Sequence, residues 1–267
     1  MFLSTLQDEF TKISAFVFKN WIMAKRNIFG LFEVAFWPLI SFLSVGFLSD
    51  FVELSPAMKG FILIGVVAMN TIQVCQLDMA YVLLYDIWSK SLKHSFVAPI
   101  GIRHILLGSM IIGIIRGGIV FFVLALLGQI VFHYNIVVPD IFATTFFLSG
   151  LFLNAVIIGI LVSILVLLVG YKAEVAAWSV VSIMFLICGI YYPISVLPYW
   201  AQAMAKALPL TYFLEYYRSF YGFEPFCSSA LLKGCLLLFV YLILEVYLMY
   251  SALLRAKKNG MLLKLSE

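Results

Sequence analysis

The chain has 267 residues, of which 64% are apolar and 11% are charged. A soluble domain carries about 25% charged residues, so this composition excludes an ordinary water-soluble globular protein. The net charge of +4 is small, and no nucleic-acid partner is expected. Because the apolar residues come in long blocks, the sequence predicts one all-α, multi-pass membrane domain over residues 1–267.

The N-terminal segment, residues 4–27, is predicted to be an amphipathic helix that lies in the membrane surface. Its apolar residues recur every three or four positions, and its lysines lie off that stripe. Because the segment is amphipathic and charged, we do not expect it to be a secretory signal. The residues of the stripe are Leu6, Phe10, Ile13, Val17 and Trp21.

Six blocks are long and apolar enough to cross the hydrocarbon core, which takes about 20 residues of helix. Arg and Lys concentrate on the cytoplasmic side of membrane proteins. With the N-terminus inside, twelve of the 17 Lys and Arg residues are cytoplasmic, Arg116 lies within a span, and four are outside. Both termini are therefore predicted to face the cytoplasm of a bacterial inner membrane. The spans are residues 28–48, 60–84, 105–132, 141–169, 175–192 and 231–254.

The cytoplasmic loop between spans two and three reads DIWSKSLKHSFVAP. Trp88, Leu92 and Phe96 recur every four residues, which predicts one apolar face on a short helix over residues 86–98. Pro99 ends this helix. Such a helix either lies on lipid or docks its apolar face in a groove of a soluble partner.

The outer stretch before the last span is cut by prolines into pieces of about ten residues, each too short to cross the membrane. Broken backbone at membrane depth survives only where it packs against protein or lines a cavity. The sequence therefore predicts a re-entrant helix pair over residues 195–221 that forms an outer gate. The alternative is an ordinary aromatic belt at the membrane interface. The candidate gate residues are Tyr191, Tyr192, Pro193, Pro198, Pro209, Glu215 and Arg218.

Three ionisable residues, Glu33, Asp78 and Arg116, lie in the cytoplasmic half of the predicted spans. Charges inside spans are costly and are functional candidates by default. We expect Arg116 to pair with Asp78 or Glu33, and Gly117 and Gly118 to let another helix approach closely. The alternative is that each charge extends separately to the inner surface.

The sequence contains no pattern of an enzyme or a metal site. Its four cysteines show no C-x-x-C spacing, and neither H-E-x-x-H nor G-x-S-x-G occurs. No Gly-Lys pair exists, so the phosphate-binding loop of ATPases is absent and any ATP-driven work needs another subunit. No catalytic residue, metal ligand or bound cofactor is therefore expected in this chain.

Two stretches carry a resemblance to a known family. SLKHSFVAPIGIRHILLG, residues 91–108, resembles the coupling-helix region of type-2 ATP-binding-cassette (ABC) exporter permeases. GIYYPISVLPYWAQAMAKALPLTYFLEYYR, residues 189–218, resembles their re-entrant region before the last span. The order of the predicted elements is also similar to that family over nearly the whole chain.

The resemblance implies a homodimer in membrane lipid in which each copy binds a cytoplasmic P-loop ATPase that holds ATP and Mg²⁺. It implies export of an amphipathic or lipid-linked substrate, such as a drug, a lipid or a lipo-oligosaccharide. The alternative substrate is a polysaccharide of the O-antigen, capsule or teichoic-acid type. A secondary transporter is the further alternative, although only one broken membrane region is visible. The candidate ATPase-docking residues are Trp88, Leu92, Lys93 and Phe96.

Overall fold

The computed structural model describes residues 2–26, 28–91, 100–137 and 140–259. Within these ranges the chain forms nine α-helices, two short 3₁₀ helices (Gly170–Ala173 and Ile194–Val196) and no strand, which confirms the all-α prediction. The helices are α1 (Phe2–Arg26), α2 (Ile28–Phe51), α3 (Pro56–Trp88), α4 (Ile102–Phe132), α5 (Ile141–Val169), α6 (Glu174–Ile187), α7 (Tyr199–Ala207), α8 (Pro209–Ser219) and α9 (Ala230–Lys258).

Five helices, α2, α3, α4, α5 and α9, are long and apolar enough to cross a membrane. The fifth predicted span, residues 175–192, is the exception: it forms α6, which has 14 residues and is therefore about 21 Å long. This is shorter than the hydrocarbon core of about 30 Å. Helix α6 ends early because Gly189 adopts a φ of 76° and turns the chain before Pro193.

Helix α3 is the central element, and it packs against α4 and α5 over most of its length. In its apolar stretch 78% of the residues are buried, against 17% in α9. Close packing with α4 needs glycine, because a Cβ on Gly113 would lie 2.7 Å from the Cys75 carbonyl oxygen. A Cβ on Gly117 would lie 3.1 Å from the Thr71 oxygen, whereas Gly118 has only Phe152 at 3.8 Å. Gly117 thus allows the close approach, and Gly118 does not take part.

The C-terminal end of α3 differs from the prediction of a separate helix that starts at Asp86. Helix α3 continues to Trp88, so Asp86 and Trp88 belong to the long central helix. It ends there because Ser89 Oγ donates to the Tyr85 carbonyl at 2.7 Å, and Lys90 adopts a left-handed φ of 55°. The rest of the predicted coupling helix, with Leu92, Lys93 and Phe96, lies outside the described residues.

Candidate functional site

Helix α1 packs against α4 through a face that the apolar stripe did not predict. Phe16 is buried in a core to which the C-terminal half of α3 and the N-terminal end of α4 contribute. A Cβ on Gly108 of α4 would lie 2.5 Å from Phe16 Cβ, so the two helices are in direct contact. Phe10 and Trp21 of the predicted stripe remain exposed, by 72% and 51%. One face of α1 is therefore fixed to the protein, and Phe10 and Trp21 lie on an exposed face.

Glu9 links α1 to the N-terminal end of α4 through Arg103 and His104. Its Oε2 lies 2.6 Å from Arg103 Nη2 and 2.9 Å from His104 Nε2. Because His104 Nδ1 accepts the Gly101 N–H at 2.8 Å, the ring proton lies on Nε2 and is donated to Glu9. The hydrogen bond from His104 and a second one from Lys12 lower the pKa of Glu9 below its ordinary value.

Lys19 of α1 holds the end of α3. Its Nζ lies 2.5 Å from Oδ1 of the buried Asp86, and Ser91 Oγ donates to the same oxygen at 3.2 Å. Helix α1 therefore contacts the chain just before residue 92 and, through Glu9, just after residue 99. We call this set the α1 clamp: Glu9, Lys19, Asp86, Arg103 and His104.

Sequence patterns did not identify the α1 clamp. Glu9 lies on the polar face of α1, and its partner His104 is 95 residues away along the chain. Helical periodicity indicates which residues share a face, but not which two faces meet.

Trp88, the one docking candidate within the described residues, lies at the C-terminal end of α3. Its ring is 47% exposed and contacts the rings of Tyr81 and Tyr85 edge-on, with centroids 5.8 and 5.5 Å apart. Trp178 Nε1 of α6 donates to the Tyr81 hydroxyl at 2.8 Å. Trp88 is therefore linked to α6 through Tyr81.

Arg116 of α4 and Asp78 of α3 form an ion pair between Nη1 and Oδ1. Of the two partners expected for Arg116, the structure therefore shows Asp78. Glu33 lies in α2, but its side chain is outside the part of the chain that the structure describes. Asp78 Oδ2 and Arg116 Nε are buried without a hydrogen-bond partner among the described residues. The pair lies between two cavities, of about 500 Å³ and about 610 Å³.

The outer helix pair consists of α7 and α8, with Pro198 and Pro209 at their N-terminal ends. The turn between them is fixed because Thr211 Oγ1 donates to the Ala205 carbonyl at 2.8 Å. The Tyr212 hydroxyl donates to the Lys206 carbonyl, also at 2.8 Å. These bonds satisfy carbonyls that a nine-residue helix leaves open at its end.

Arg218 anchors this pair to the rest of the bundle. It is 1% exposed, and its Nη1 donates to the Gly189 carbonyl at 2.6 Å. Its Nη2 donates to the carbonyls of Ile190 at 2.8 Å and Phe61 at 2.9 Å. The guanidinium also lies 3.4 Å from the ring centroid of Phe61. One side chain therefore joins α8 to α3 and to the segment after α6.

The other candidate gate residues occupy varied positions. The Tyr191 hydroxyl donates to Met69 Sδ of α3 at 3.1 Å, and the Tyr192 hydroxyl to the Leu186 carbonyl at 2.6 Å. Pro193 precedes the 3₁₀ helix Ile194–Val196. Glu215 Oε2 accepts the Phe226 N–H at 3.3 Å rather than pairing with a cation among the described residues.

The tyrosines of this region do not all lie at an interface. Tyr217 is fully buried, stacks on Phe147 of α5 with centroids 3.9 Å apart, and donates to the Ile136 carbonyl at 2.8 Å. Tyr199, by contrast, is 88% exposed. Tyr199 of α7 is therefore open to the surroundings, whereas Tyr217 anchors α8 in the core.

Comparison with known proteins gives two matches. The family model described as ABC-2 type transporter matches residues 11–221, which include most of α1, the ion pair and the outer helix pair. A 52-residue stretch is 42% identical to an uncharacterized protein of Archaeoglobus fulgidus, and it covers 20% of this chain and 81% of that protein. The matched domain is a membrane permease that works with ATPase subunits, and it is not a catalytic domain. With its five long apolar helices, the chain is a multi-pass membrane protein that belongs to the ABC-2 type transporter family.

Proposed function

We propose that the chain is the membrane-spanning subunit of an ATP-driven exporter that moves an amphipathic or lipid-linked substrate out across a bacterial cytoplasmic membrane. The family match over residues 11–221 is the observation that supports this most strongly. The chain has no phosphate-binding loop, so ATP and Mg²⁺ would be bound by a separate cytoplasmic P-loop ATPase.

The ATPase docks on the loop between α3 and α4, through Trp88, Leu92, Lys93 and Phe96. The α1 clamp supports this assignment, because Lys19 and Glu9 hold the chain on either side of residues 92–99. A movement of the docked loop would therefore displace α1, α3 and α4 together. Both termini face the cytoplasm, as the distribution of Lys and Arg predicts.

The outer helix pair acts as the gate. Arg218 supports this proposal, since it joins α8 to the outer end of α3. A shift of α3 that starts at Trp88 would thus reach the gate along a single continuous helix. A second copy of the chain packs on α2 and α6, which expose apolar side chains such as Phe47 and Leu186.

Capture of the ATPase from native membranes tests this function. Trp88→Asp places a charge on the docking surface, and we expect it to weaken ATPase binding by about 2 kcal/mol or more, as for an interface hot spot. Trp200→Asp is the matched control, because Trp200 is 66% exposed on α7 at the opposite end of the bundle. The docking assignment is wrong if Trp88→Asp captures the ATPase as well as wild type does. The exporter proposal itself is wrong if wild type captures no ATPase.

A further inference from the structure

Two cavities meet at the ion pair in the cytoplasmic half of the bundle. The first, which we call the inner cavity, has a volume of about 500 Å³ and lies between α1, α2, α3 and α4. The second, which we call the groove, has a volume of about 610 Å³ and lies between α2, α3, α4 and α6. Both volumes are typical of sites that bind small molecules. Because Gly30, Asp78, Tyr85 and Arg116 line both, one ligand can occupy the two cavities around the ion pair.

The charges that line the two cavities favour an anion. Among the described residues of the lining, Arg26 and Arg116 are basic and Asp78 is the one acid. No ion pair to Arg26 is found within the described residues. Arg116 uses Nη1 for Asp78, which leaves other N–H groups of its planar fork for a further acceptor. The net charge of the described lining is therefore positive.

The groove has the length and the walls of a site for a hydrocarbon chain. It follows α3 from Tyr85 to Met69, which are 16 residues and therefore about 24 Å apart along the helix. Half of the hydrocarbon core measures about 15 Å, so an occupant reaches past the middle of the membrane. Apolar side chains such as Trp37, Leu77 and Trp178 line most of this length.

We propose that the inner cavity and the groove together bind a long-chain amphiphile with an anionic headgroup. The carboxylate or phosphate headgroup lies in the inner cavity between Arg26 and Arg116, and the acyl chain lies in the groove. The amphiphile enters from the inner leaflet. That such molecules are the exported cargo rests on the proposed function, whereas the binding site itself does not.

The test uses the full chain alone in nanodiscs of phosphatidylcholine. The probe is stearic acid with a nitroxide on its chain, and the immobilised fraction in its electron paramagnetic resonance spectrum reports binding. We expect lysophosphatidic acid to displace the probe, because it shares the anionic headgroup and the chain. We expect neither the methyl ester of the probe nor lysophosphatidylcholine to bind comparably, because they carry no net negative charge.

Four variants separate charge from general disruption. We expect Arg26→Gln and Arg116→Gln each to weaken binding of the probe about tenfold, the size of one charge-assisted hydrogen bond. Asp78→Asn should strengthen binding, because it releases Arg116 from its acid, and a merely disrupted bundle would not bind more tightly. Lys59→Gln is the matched control, since it removes a charge that pairs with Asp50 away from both cavities.

Two results would overturn the site. The first is equal binding of the probe and its methyl ester. The second is that Arg26→Gln and Arg116→Gln each bind the probe as wild type does and that Asp78→Asn binds it no more tightly. Because the measurement contains no ATPase, its failure is distinct from failure of the proposed function. Loss of this site with intact ATPase capture would leave the exporter proposal standing. Binding of the probe without any ATPase capture would support the site and contradict the exporter proposal.

Discussion

Arg218 offers the sharpest test of how the outer helix pair is held. It is a buried cation that donates to three backbone carbonyls from two separate parts of the chain. Arg218→Met keeps much of the apolar volume of the side chain and removes every one of these donors. We expect the segment after α6 to detach from α8 while the long helices stay assembled.

The size of the effect follows from which carbonyls lose a partner. The Phe61 carbonyl retains its bond within α3, because it lies inside a regular helix. The carbonyls of Gly189 and Ile190 each lose a hydrogen bond to a charged group, worth about 1.5–3 kcal/mol. Local opening of this segment should therefore become easier by about 3–6 kcal/mol in Arg218→Met. The effect of Arg218→Lys should lie between wild type and Arg218→Met, because one ammonium group cannot donate to all three carbonyls as the planar guanidinium does.

Two buried cysteines make the effect measurable. Cys188 precedes Gly189 and is 1% exposed, and Cys75 in α3 is fully buried. We would follow the rate of N-ethylmaleimide labelling at each thiol by mass spectrometry. A loss of about 3 kcal/mol corresponds to roughly a hundredfold faster labelling of Cys188. Cys75 should remain protected at the wild-type level.

The control is Lys206→Met, which removes a cation from the exposed surface of the same helix pair. A surface change of this kind is expected to stay within about 0.5 kcal/mol. Labelling of Cys188 in Arg218→Met no faster than in wild type would contradict the anchoring role of Arg218. Labelling of Cys75 that is faster by the same factor would also contradict it, because the whole bundle would then have opened rather than one segment.

Three further predictions concern the part of the bundle where α1, α3 and α4 meet. Gly108→Ala should displace α1 at a cost of about 1–3 kcal/mol, measured by hydrogen exchange of α1, whereas Gly118→Ala, with 3.8 Å to its neighbour, should not. The pKa of Glu9 is lowered in the folded chain. The stabilisation that Glu9 gives to the contact between α1 and α4 should therefore be complete above the ordinary pKa of Glu9 and be lost as the pH falls through its lowered pKa. Spin-label distances between α1 and α4 should show this change, and Glu9→Gln should abolish the pH dependence. The double variant Arg116→Asp with Asp78→Arg should have a higher Tm than either single variant in a thermal unfolding assay. Equal Tm values for all three variants would contradict the pairing.

The helical architecture could be predicted because each spanning helix satisfies its own backbone hydrogen bonds. A long apolar run is then sufficient, and the predicted span 141–169 has the same bounds as α5. Pro198 and Pro209 likewise indicated the starts of α7 and α8, because proline is tolerated only in the first turn of a helix. The early end of α6 was missed, since it depends on the backbone conformation of Gly189.

The sequence by itself determined the membrane class, the position of most helices and the two residues able to neutralise Arg116. Only the tertiary structure placed Asp78 against Arg116, Lys19 against Asp86 and Arg218 against carbonyls from α3 and from the segment after α6. The physical reason is that these contacts join helix faces far apart in the chain. Which faces meet is decided by packing, such as the close approach of α3 and α4 at Gly113 and Gly117, and no local pattern of residues encodes it.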